Sequence, residues 1–177
     1  MCRPDWLVGL LGTSFWIGYV STMLWLPRVA DVYGRKKLFA VGLSISLLLY
    51  TALILSKNFY LTMVIIFFFG VTNTIRTITG FVYFTEMMPK SKITVATTVL
   101  WIIDGCIYLF VVIYFWKIST YTNGLIIIGW CFAFCGALFS WFLPESPVWL
   151  LSLNRTEQAI QVMTKIAKIN KSEAQLW

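Results

Sequence analysis

The stretch LFAVGLSISLLLYTALILS, residues 38–56, decides the fold class of this chain. It contains no charged residue, and its 19 residues would form a helix of roughly 28 Å at about 1.5 Å of rise per residue. The hydrocarbon core of a bilayer is about 30 Å thick. This stretch is therefore predicted to be a membrane-spanning helix.

Four more apolar runs of similar length flank this stretch. The first, second and fifth runs along the chain carry no charge, while the third contains Arg76 and the fourth contains Asp104. The runs are continuous and do not alternate every second residue, so helices are predicted rather than a barrel. We predict an all-α, polytopic membrane protein with five transmembrane helices, at about 6–26, 38–56, 59–84, 93–116 and 122–143.

The composition supports lipid as the solvent and excludes several function classes. Hydrophobic residues make up 59% of the chain and charged residues 12%, against about 45–50% and 25% in soluble domains. The net charge of +7 comes mostly from short loops, so no nucleic-acid partner is expected. There is no His, which excludes catalysis that uses His, and no metal site, cofactor or catalytic residue is predicted.

Lys and Arg in the loops predict the orientation, because they mark the cytoplasmic side. Only Arg3, Lys57 and Lys117 fall on one side. The other side carries ten: Arg28, Arg35, Lys36, Lys37, Lys90, Lys92, Arg155, Lys165, Lys168 and Lys171. The N-terminus is therefore expected outside and the C-terminus in the cytoplasm.

The chain is expected to divide into a transmembrane bundle, residues 1–143, and a cytoplasmic segment, residues 144–177. Pro144 and Pro147 follow the fifth run, and Asn154 with Glu157 resembles a capping box at the start of a helix. A short amphipathic helix is predicted here. Its apolar face would consist of Ile160, Met163 and Ala167.

Three short motifs lie between or after these runs. The first is Pro27-Arg28-Val29-Ala30-Asp31-Val32-Tyr33-Gly34-Arg35-Lys36-Lys37, interpreted as a turn between the first two helices. The second is Tyr83, Glu86 and Pro89 at the end of the third run, and the third is Pro144-Glu145-Ser146-Pro147-Val148-Trp149-Leu150. Taken alone, the first motif has an alternative interpretation as an ordinary basic loop.

Together these motifs resemble those of major facilitator transporters, whose corresponding patterns are G-x-x-x-D-R-x-G-R-R, Y-x-x-E-x-x-P and P-E-S-P-R-W-L. Val32 and Val148 stand where the family usually has Arg, and Pro27 where it has Gly. The opening residues 2–6 are similar to a loop of the organic cation and anion branch. The resemblance covers about residues 6–170 and implies a partial N-terminal half, with family helices two to six.

The resemblance also implies roles. It places Asp31, Gly34, Arg35, Glu86 and Glu145 in a cytoplasmic charge network that holds the two halves of a transporter together in one state. The alternative is that these charges only anchor helix ends. The first family helix and the second half, or another membrane subunit, would be required as partners.

Arg76 and Asp104 are predicted at nearly the same depth, roughly 15 to 18 Å from the cytoplasmic surface. An unpaired charge there is costly. One hypothesis is an ion pair between the two helices. The other places both in a substrate cavity, with candidate residues Asn73, Arg76, Thr77, Trp101, Asp104 and Tyr108.

The function predicted from these patterns is transport of a small organic solute, most plausibly an organic ion, by alternating access. The chain would be a partial transporter that needs the missing helices. The alternative is a structural subunit of a larger membrane assembly that transports nothing. No enzyme activity is predicted.

Overall fold

The computed structural model describes residues 4–118 and 121–169, and in these residues the chain is helical. The α-helices are α1 (Asp5–Met23), α2 (Leu26–Tyr33), α3 (Arg35–Leu55), α4 (Phe59–Thr74), α5 (Gly80–Met87), α6 (Ile93–Ile113), α7 (Thr122–Phe142), α8 (Pro147–Ser152) and α9 (Thr156–Ile169). A π-helical turn joins α4 to α5, and a second one follows α6.

Five helical segments in the described residues are long and apolar enough to cross a membrane, which confirms the predicted number. They are Trp6–Met23, Arg35–Leu55, Phe59–Met87, Lys90–Ile118 and Thr122–Phe142. The first ends earlier than predicted, and the third and fourth extend further toward the loop between them. Many large apolar side chains on these segments are exposed, as expected for helices that contact lipid. The chain is an integral, multi-pass membrane protein.

The helices pack through small residues, as membrane helices commonly do. α1 lies against α4, where a side chain at Gly18 would overlap the carbonyl oxygen of Phe67, and one at Gly70 would overlap that of Phe15. α3 packs on both α4 and α7. α6 is the exception, because none of its residues is buried.

The interpretation of residues 27–37 as a turn was wrong. Residues Leu26–Tyr33 form helix α2, with Pro27 in its first turn and Leu26 and Ala30 buried. Pro fits the first turn of a helix because its missing N–H would have no helical partner there. The break between α2 and α3 is Gly34, whose φ is 98°.

The predicted capping box was also wrong. Asn154 has a φ of 58° and ends α8 instead of starting α9. The N–H of Arg155 donates to the carbonyl of Leu150 at 3.0 Å, and that of Asn154 to Leu151 at 3.0 Å. This is the hydrogen-bond pattern of a helix C-terminus closed by a left-handed residue, a position that Asn tolerates.

Helix α9 packs on α8 through a face that shares Met163 with the predicted one but not Ile160. Ala159 is buried with Trp149 and Leu150, and Val162 and Met163 pack beside them. Ile160 is 48% exposed. The predicted boundary at residue 143 remains a prediction. Residues 1–3 and 170–177, which include Arg3 and Lys171, lie outside the described residues.

Candidate functional site

Gly34 brings three distant parts of the chain to one point. Its φ of 98° and ψ of 144° belong to a region that is essentially restricted to glycine. A Cβ atom here would lie 3.0 Å from Oε2 of Glu145 and 3.2 Å from the ring of Trp149. Gly34 therefore permits both the abrupt change of direction between α2 and α3 and the close approach of the loop before α8.

Arg35, the first residue of α3, forms ion pairs with two carboxylates. It pairs with Glu86 near the end of α5, and its Nη2 lies 3.2 Å from Oδ1 of Asp31 on α2. The side chains of Arg35 and Glu86 are 17% and 14% exposed, whereas that of Asp31 is 67% exposed. The pair with Glu86 is largely shielded from solvent and is the stronger of the two, since surface pairs contribute little.

Glu145 binds the N-terminus of α3. Its Oε1 accepts a hydrogen bond of 2.7 Å from the backbone N–H of Lys36. A helix N-terminus has free N–H groups and a partial positive charge, so it favours a carboxylate at this position. The Nζ of Lys36 donates to the carbonyl of Trp141 at 3.0 Å, which ties the same helix to the end of α7.

Hydrogen bonds link the remaining parts of this site. Oγ of Ser146 donates to Oε2 of Glu86 at 2.5 Å and accepts from the backbone N–H of Trp149 at 3.3 Å. Nε1 of Trp149 donates to the carbonyl of Asp31 at 2.7 Å. The hydroxyl of Tyr83 donates to the carbonyl of Pro144 at 2.6 Å. We call Asp31, Arg35, Glu86, Glu145 and Ser146 the charged cluster.

The structure thus places all five predicted network residues together, namely Asp31, Gly34, Arg35, Glu86 and Glu145. Asp31 and Glu86 pair with the guanidinium of Arg35, and Glu145 binds the backbone N–H of Lys36. The charged cluster therefore has more negative than positive side chains. Val32 and Val148, which stand where the resembling family has Arg, are 69% and 49% exposed. The cations missing at these two positions would have lain on the outer surface of the cluster.

No role was predicted for Ser146, Trp149 or Tyr83, although all three belong to the motifs described above. Ser146 carried a usable signal. A Ser that directly precedes a Pro and an apolar run is typical of a helix N-cap. The contacts of Trp149 and Tyr83 with backbone carbonyls depend on how the helices pack, and no local pattern indicates them.

The predicted substrate-cavity residues separate into two groups. Asn73 and Arg76 line a cavity of about 140 Å³ between α1, α3 and α4, and Nη2 of Arg76 donates to Oδ1 of Asn73 at 2.7 Å. The other residues that line the cavity were not predicted from the sequence; they are Phe15, Ser46, Tyr50, Phe69 and Thr72. Thr77 is exposed and does not line this cavity.

Trp101, Asp104 and Tyr108 lie on α6, apart from the cavity. All three are exposed, and the ring of Trp101 lies 6.4 Å from that of Phe81 on α5. Among the residues that the structure describes, the ion pairs are those of Arg35. The ion pair proposed between Arg76 and Asp104 is therefore not formed in this structure.

Comparisons with known proteins agree with the motifs. Residues 2–176 match the family described as Sugar (and other) transporter. The chain is 28% identical over 171 residues to mouse solute carrier family 22 member 21 and 29% identical over 171 residues to human organic cation/carnitine transporter 2. It is 27% identical over 178 residues to rat solute carrier family 22 member 2.

Each of these matches covers 96% of this chain but 30% of the relative. The chain thus spans about a third of the length of the curated relatives it matches. The relatives are carriers and transporters, which confirms the resemblance to the organic-ion branch of the major facilitator proteins. It also confirms that the chain is not an enzyme.

Proposed function

Because the chain belongs to the Sugar (and other) transporter family, we propose that it forms part of a transporter for small organic solutes, most simply organic ions. The relatives named above include organic cation/carnitine transporters. Five membrane-spanning helices that cover about 30% of such relatives form one wall of a transport pathway. The rest of the pathway comes from further helices, either the first helix and second half of the same fold or another membrane subunit.

The observation that carries this proposal is the convergence of three motifs on the N-terminus of α3, at Arg35 and the backbone N–H of Lys36. Asp31, Glu86 and Glu145 come from segments separated by 55 or more residues of chain, yet they contact one helix N-terminus and its first side chain. Structural anchoring of a single helix end needs one carboxylate. Two carboxylates on one cation, with a third on the adjacent helix N-terminus, are better suited to contacts that are exchanged between two states.

We propose that the charged cluster is such a state-dependent contact. In one state the cluster holds α2, α3, α5 and the loop before α8 together, and in the other some of its carboxylates bind groups elsewhere in the transporter. Such a change requires differential contacts in the two states. The negative excess of the cluster supplies these, because three carboxylates share one guanidinium and one helix N-terminus and can exchange these partners for cations or helix N-termini on the other half.

We also propose that the charged cluster faces the cytoplasm and that the N-terminus lies outside. The unequal distribution of Lys and Arg supports this orientation. Arg28 on α2, and Lys90 and Lys92 between α5 and α6, lie at the same end of the bundle as the charged cluster, whereas Lys57 and Lys117 lie at the other end. The orientation is tested by labelling single cysteines at residues 57 and 90 with an impermeant reagent in intact cells. The cysteine at residue 57 should be labelled and that at residue 90 should not, and equal labelling of both contradicts the orientation.

Transport is tested by uptake into liposomes that contain the purified protein, alone and with an added partner half that supplies the missing helices. Radiolabelled tetramethylammonium serves as the cation probe and radiolabelled butanoate as the anion probe. We expect saturable uptake of at least one, and we expect Glu145→Gln to change the rate of uptake more than the affinity, because Glu145 contacts the helix end and not the solute. Lys57→Gln, which alters an exposed charge at the other end, is the matched control and leaves uptake unchanged.

Uptake of neither probe above that of empty liposomes, both with and without the added partner half, contradicts transport and supports the alternative of a structural subunit. Uptake that Glu145→Gln and Lys57→Gln leave equally unchanged supports transport but contradicts the role proposed for the charged cluster.

A further inference from the structure

Large apolar side chains are exposed where the end of α2 meets the start of α8. The hydrogen bond from Nε1 of Trp149 to the carbonyl of Asp31, at 2.7 Å, holds these two helix ends together. The exposed apolar residues next to this bond are Val32, Tyr33, Val148 and Leu151. We call these four residues the apolar patch. A cluster of exposed apolar side chains often marks a surface that contacts a partner or a membrane.

Helix α9 continues the exposed surface beyond α8. Its Ala159 is buried against α8, together with Trp149 and Leu150. Ile160 lies beside this packed face and is exposed, and the exposed Lys165 and Lys168 follow in the last turns of the helix. A short helix that combines an apolar face with Lys on its polar side is typical of helices that lie in the membrane interface.

Both α2 and α8 lie close to the ends of membrane spans. α2 begins three residues after the span that ends at Met23, and α8 begins five residues after the span that ends at Phe142. Five residues of extended chain cover at most about 18 Å. The headgroup region beside the hydrocarbon core is itself about 5 to 8 Å deep. The apolar patch is therefore within reach of the lipid headgroups around these two spans.

The exposed charges on this surface are mostly positive. In residues 26–37 and 147–168 two carboxylates are exposed, those of Asp31 and Glu157. Five cations are exposed in the same ranges, and they are Arg28, Lys37, Arg155, Lys165 and Lys168. Lys and Arg beside exposed apolar side chains match a bilayer that contains anionic lipids, because the cations bind phosphate groups while the apolar side chains enter the acyl boundary.

Lipid is favoured over a protein as the partner of this surface. The bilayer already surrounds the adjoining spans, so contact with it does not require a second protein to lose its translational and rotational freedom. The proposed orientation also places this end of the bundle at the cytoplasmic leaflet, which carries the anionic lipids of a membrane.

We infer that α2, α8 and α9 form a binding surface for anionic phospholipids of the adjacent leaflet. The apolar patch and Ile160 contact the acyl boundary, and Lys165 and Lys168 bind the phosphate groups. This surface is separate from the charged cluster, whose carboxylates bind Arg35 and the N-terminus of α3. The inference concerns lipid and not a transported solute, so it goes beyond the proposed transport function.

The test measures contact between α9 and lipid in nanodiscs that contain the purified protein. The four native cysteines are replaced by alanine, and a bimane fluorophore is attached to a single cysteine at residue 160. Every disc contains the same fraction of phosphatidylcholine with brominated acyl chains, which quenches the fluorophore on contact. The remaining lipid is either phosphatidylcholine or phosphatidylserine.

We expect stronger quenching at residue 160 with phosphatidylserine, since each Lys that contacts anionic lipid favours the bound position by about fivefold. The matched control carries its single cysteine at residue 158. Gln158 is exposed on the same helix, but it is about 200° away from Ile160 around the helix axis. A fluorophore at residue 158 should be quenched weakly in both kinds of disc.

Removing the two cations of α9 tests their role. Lys165→Gln combined with Lys168→Gln should reduce the quenching at residue 160 to its value without phosphatidylserine. Lys57→Gln combined with Lys117→Gln removes two exposed cations at the other end of the bundle and should leave the quenching unchanged. Equal quenching at residue 160 with both lipids, or equal quenching at residues 158 and 160, overturns the inference.

A second measurement uses the unaltered protein and therefore does not depend on the folding of any variant. Hydrogen exchange followed by mass spectrometry compares the two kinds of disc. The amides of α9 should exchange several-fold more slowly with phosphatidylserine, whereas those in the first turn of α4, at the other end, should exchange equally. Equal exchange of α9 in both kinds of disc overturns the inference.

The last arm adds a partner half that supplies the missing helices. Quenching at residue 160 that persists supports the lipid surface, whereas its loss shows that α9 binds protein and overturns the inference. Because both leaflets of these discs contain phosphatidylserine and no solute is present, none of these results depends on the proposed orientation or on transport. Failure of uptake into liposomes therefore contradicts transport and leaves the lipid surface standing.

Discussion

The charged cluster and helix α6 are the two extremes of this molecule. In the cluster, Arg35, Glu86 and Ser146 are largely or fully buried, and their contacts join segments far apart in the sequence. Along α6 no residue is buried. In the most apolar part of the segment Lys90–Ile118, 6% of the residues are buried, against 28% in Phe59–Met87. Both regions nevertheless contain charged side chains and a glycine.

The difference shows where the described residues supply partners for their own charged side chains and where these side chains depend on their surroundings. Each charge of the cluster has a partner on another helix or at a helix end. Asp104 on α6 has no ion-pair partner among the described residues, and Trp101 and Tyr108 beside it are 63% and 67% exposed. The surroundings of α6 must come from lipid or from further protein, and the proposed partner helices of the transporter provide the latter.

If this comparison is correct, the same kind of substitution has a large effect in the cluster and a small one on α6. Neutralising Arg35 should have the largest effect. Arg35→Gln leaves the shielded carboxylate of Glu86 without a cation. Breaking a buried ion pair in this way lowers the free energy of unfolding, here by about 3 kcal/mol, the lower end of the usual range because the pair is slightly exposed. Asp104→Asn is the control, and its unfolding free energy should not fall, because an unpaired charge is removed from a membrane span.

The measurement is unfolding in mixtures of detergent and SDS, followed by circular dichroism. Glu86→Gln combined with Arg35→Gln should recover part of the loss, because the unpaired carboxylate is then removed as well. A double variant no more stable than Arg35→Gln alone would show that Arg35 acts through packing and not through this ion pair.

Replacing glycine by alanine should sharpen the comparison with a smaller effect. Gly34→Ala places a side chain at a φ of 98° and 3.0 Å from the carboxylate of Glu145, and such backbone strain costs about 2 kcal/mol. At Gly105 on α6 an added Cβ atom meets nothing within 4 Å. Gly105→Ala should be neutral or slightly stabilising, since alanine has the higher helix propensity.

Both variants are compared with the unaltered protein by the same unfolding measurement. A loss of stability in Gly105→Ala as large as that in Gly34→Ala would contradict the comparison, because it would mean that α6 is closely packed in the folded protein.

The sequence predicts some parts of this structure and not others. The five spans follow from long apolar runs with at most one charge each, since hydropathy and length suffice to identify them. The residues of the charged cluster, except Ser146, were found through their motifs. Helix α2 was missed because its polar residues and Pro27 are typical of turns, and its identification needed the burial of Leu26 and Ala30.

The cavity could be predicted only in part. Arg76 and its neighbour Asn73 were found because a charge in an apolar run is costly. Phe15, Ser46 and Tyr50 were not found, because apolar and small polar residues are common in membrane helices and only the packing of α1, α3 and α4 brings them together. The grouping of Asp104 with Arg76 rested on equal depth alone, and depth does not determine which helices are neighbours.

The smallest expected effect comes from removing a hydroxyl group, compared at Ser146 and at Thr98. Oγ of Ser146 caps α8 and binds Glu86, and Ser146 is fully buried. Ser146→Ala should therefore lower the free energy of unfolding by about 1 kcal/mol, as loss of an N-cap typically does. Oγ1 of Thr98 on α6 donates to the carbonyl of Thr94 within the same helix at 2.9 Å, a contact whose loss leaves a backbone hydrogen bond intact. Thr98→Ala should therefore change the unfolding midpoint little. Because Ser146→Ala also removes a donor to Glu86, it should lower the coupling energy between Arg35 and Glu86 in the double-variant measurement, whereas Thr98→Ala should not. A coupling energy that is the same in both backgrounds would show that Ser146 stabilises α8 alone and is not part of the charged cluster.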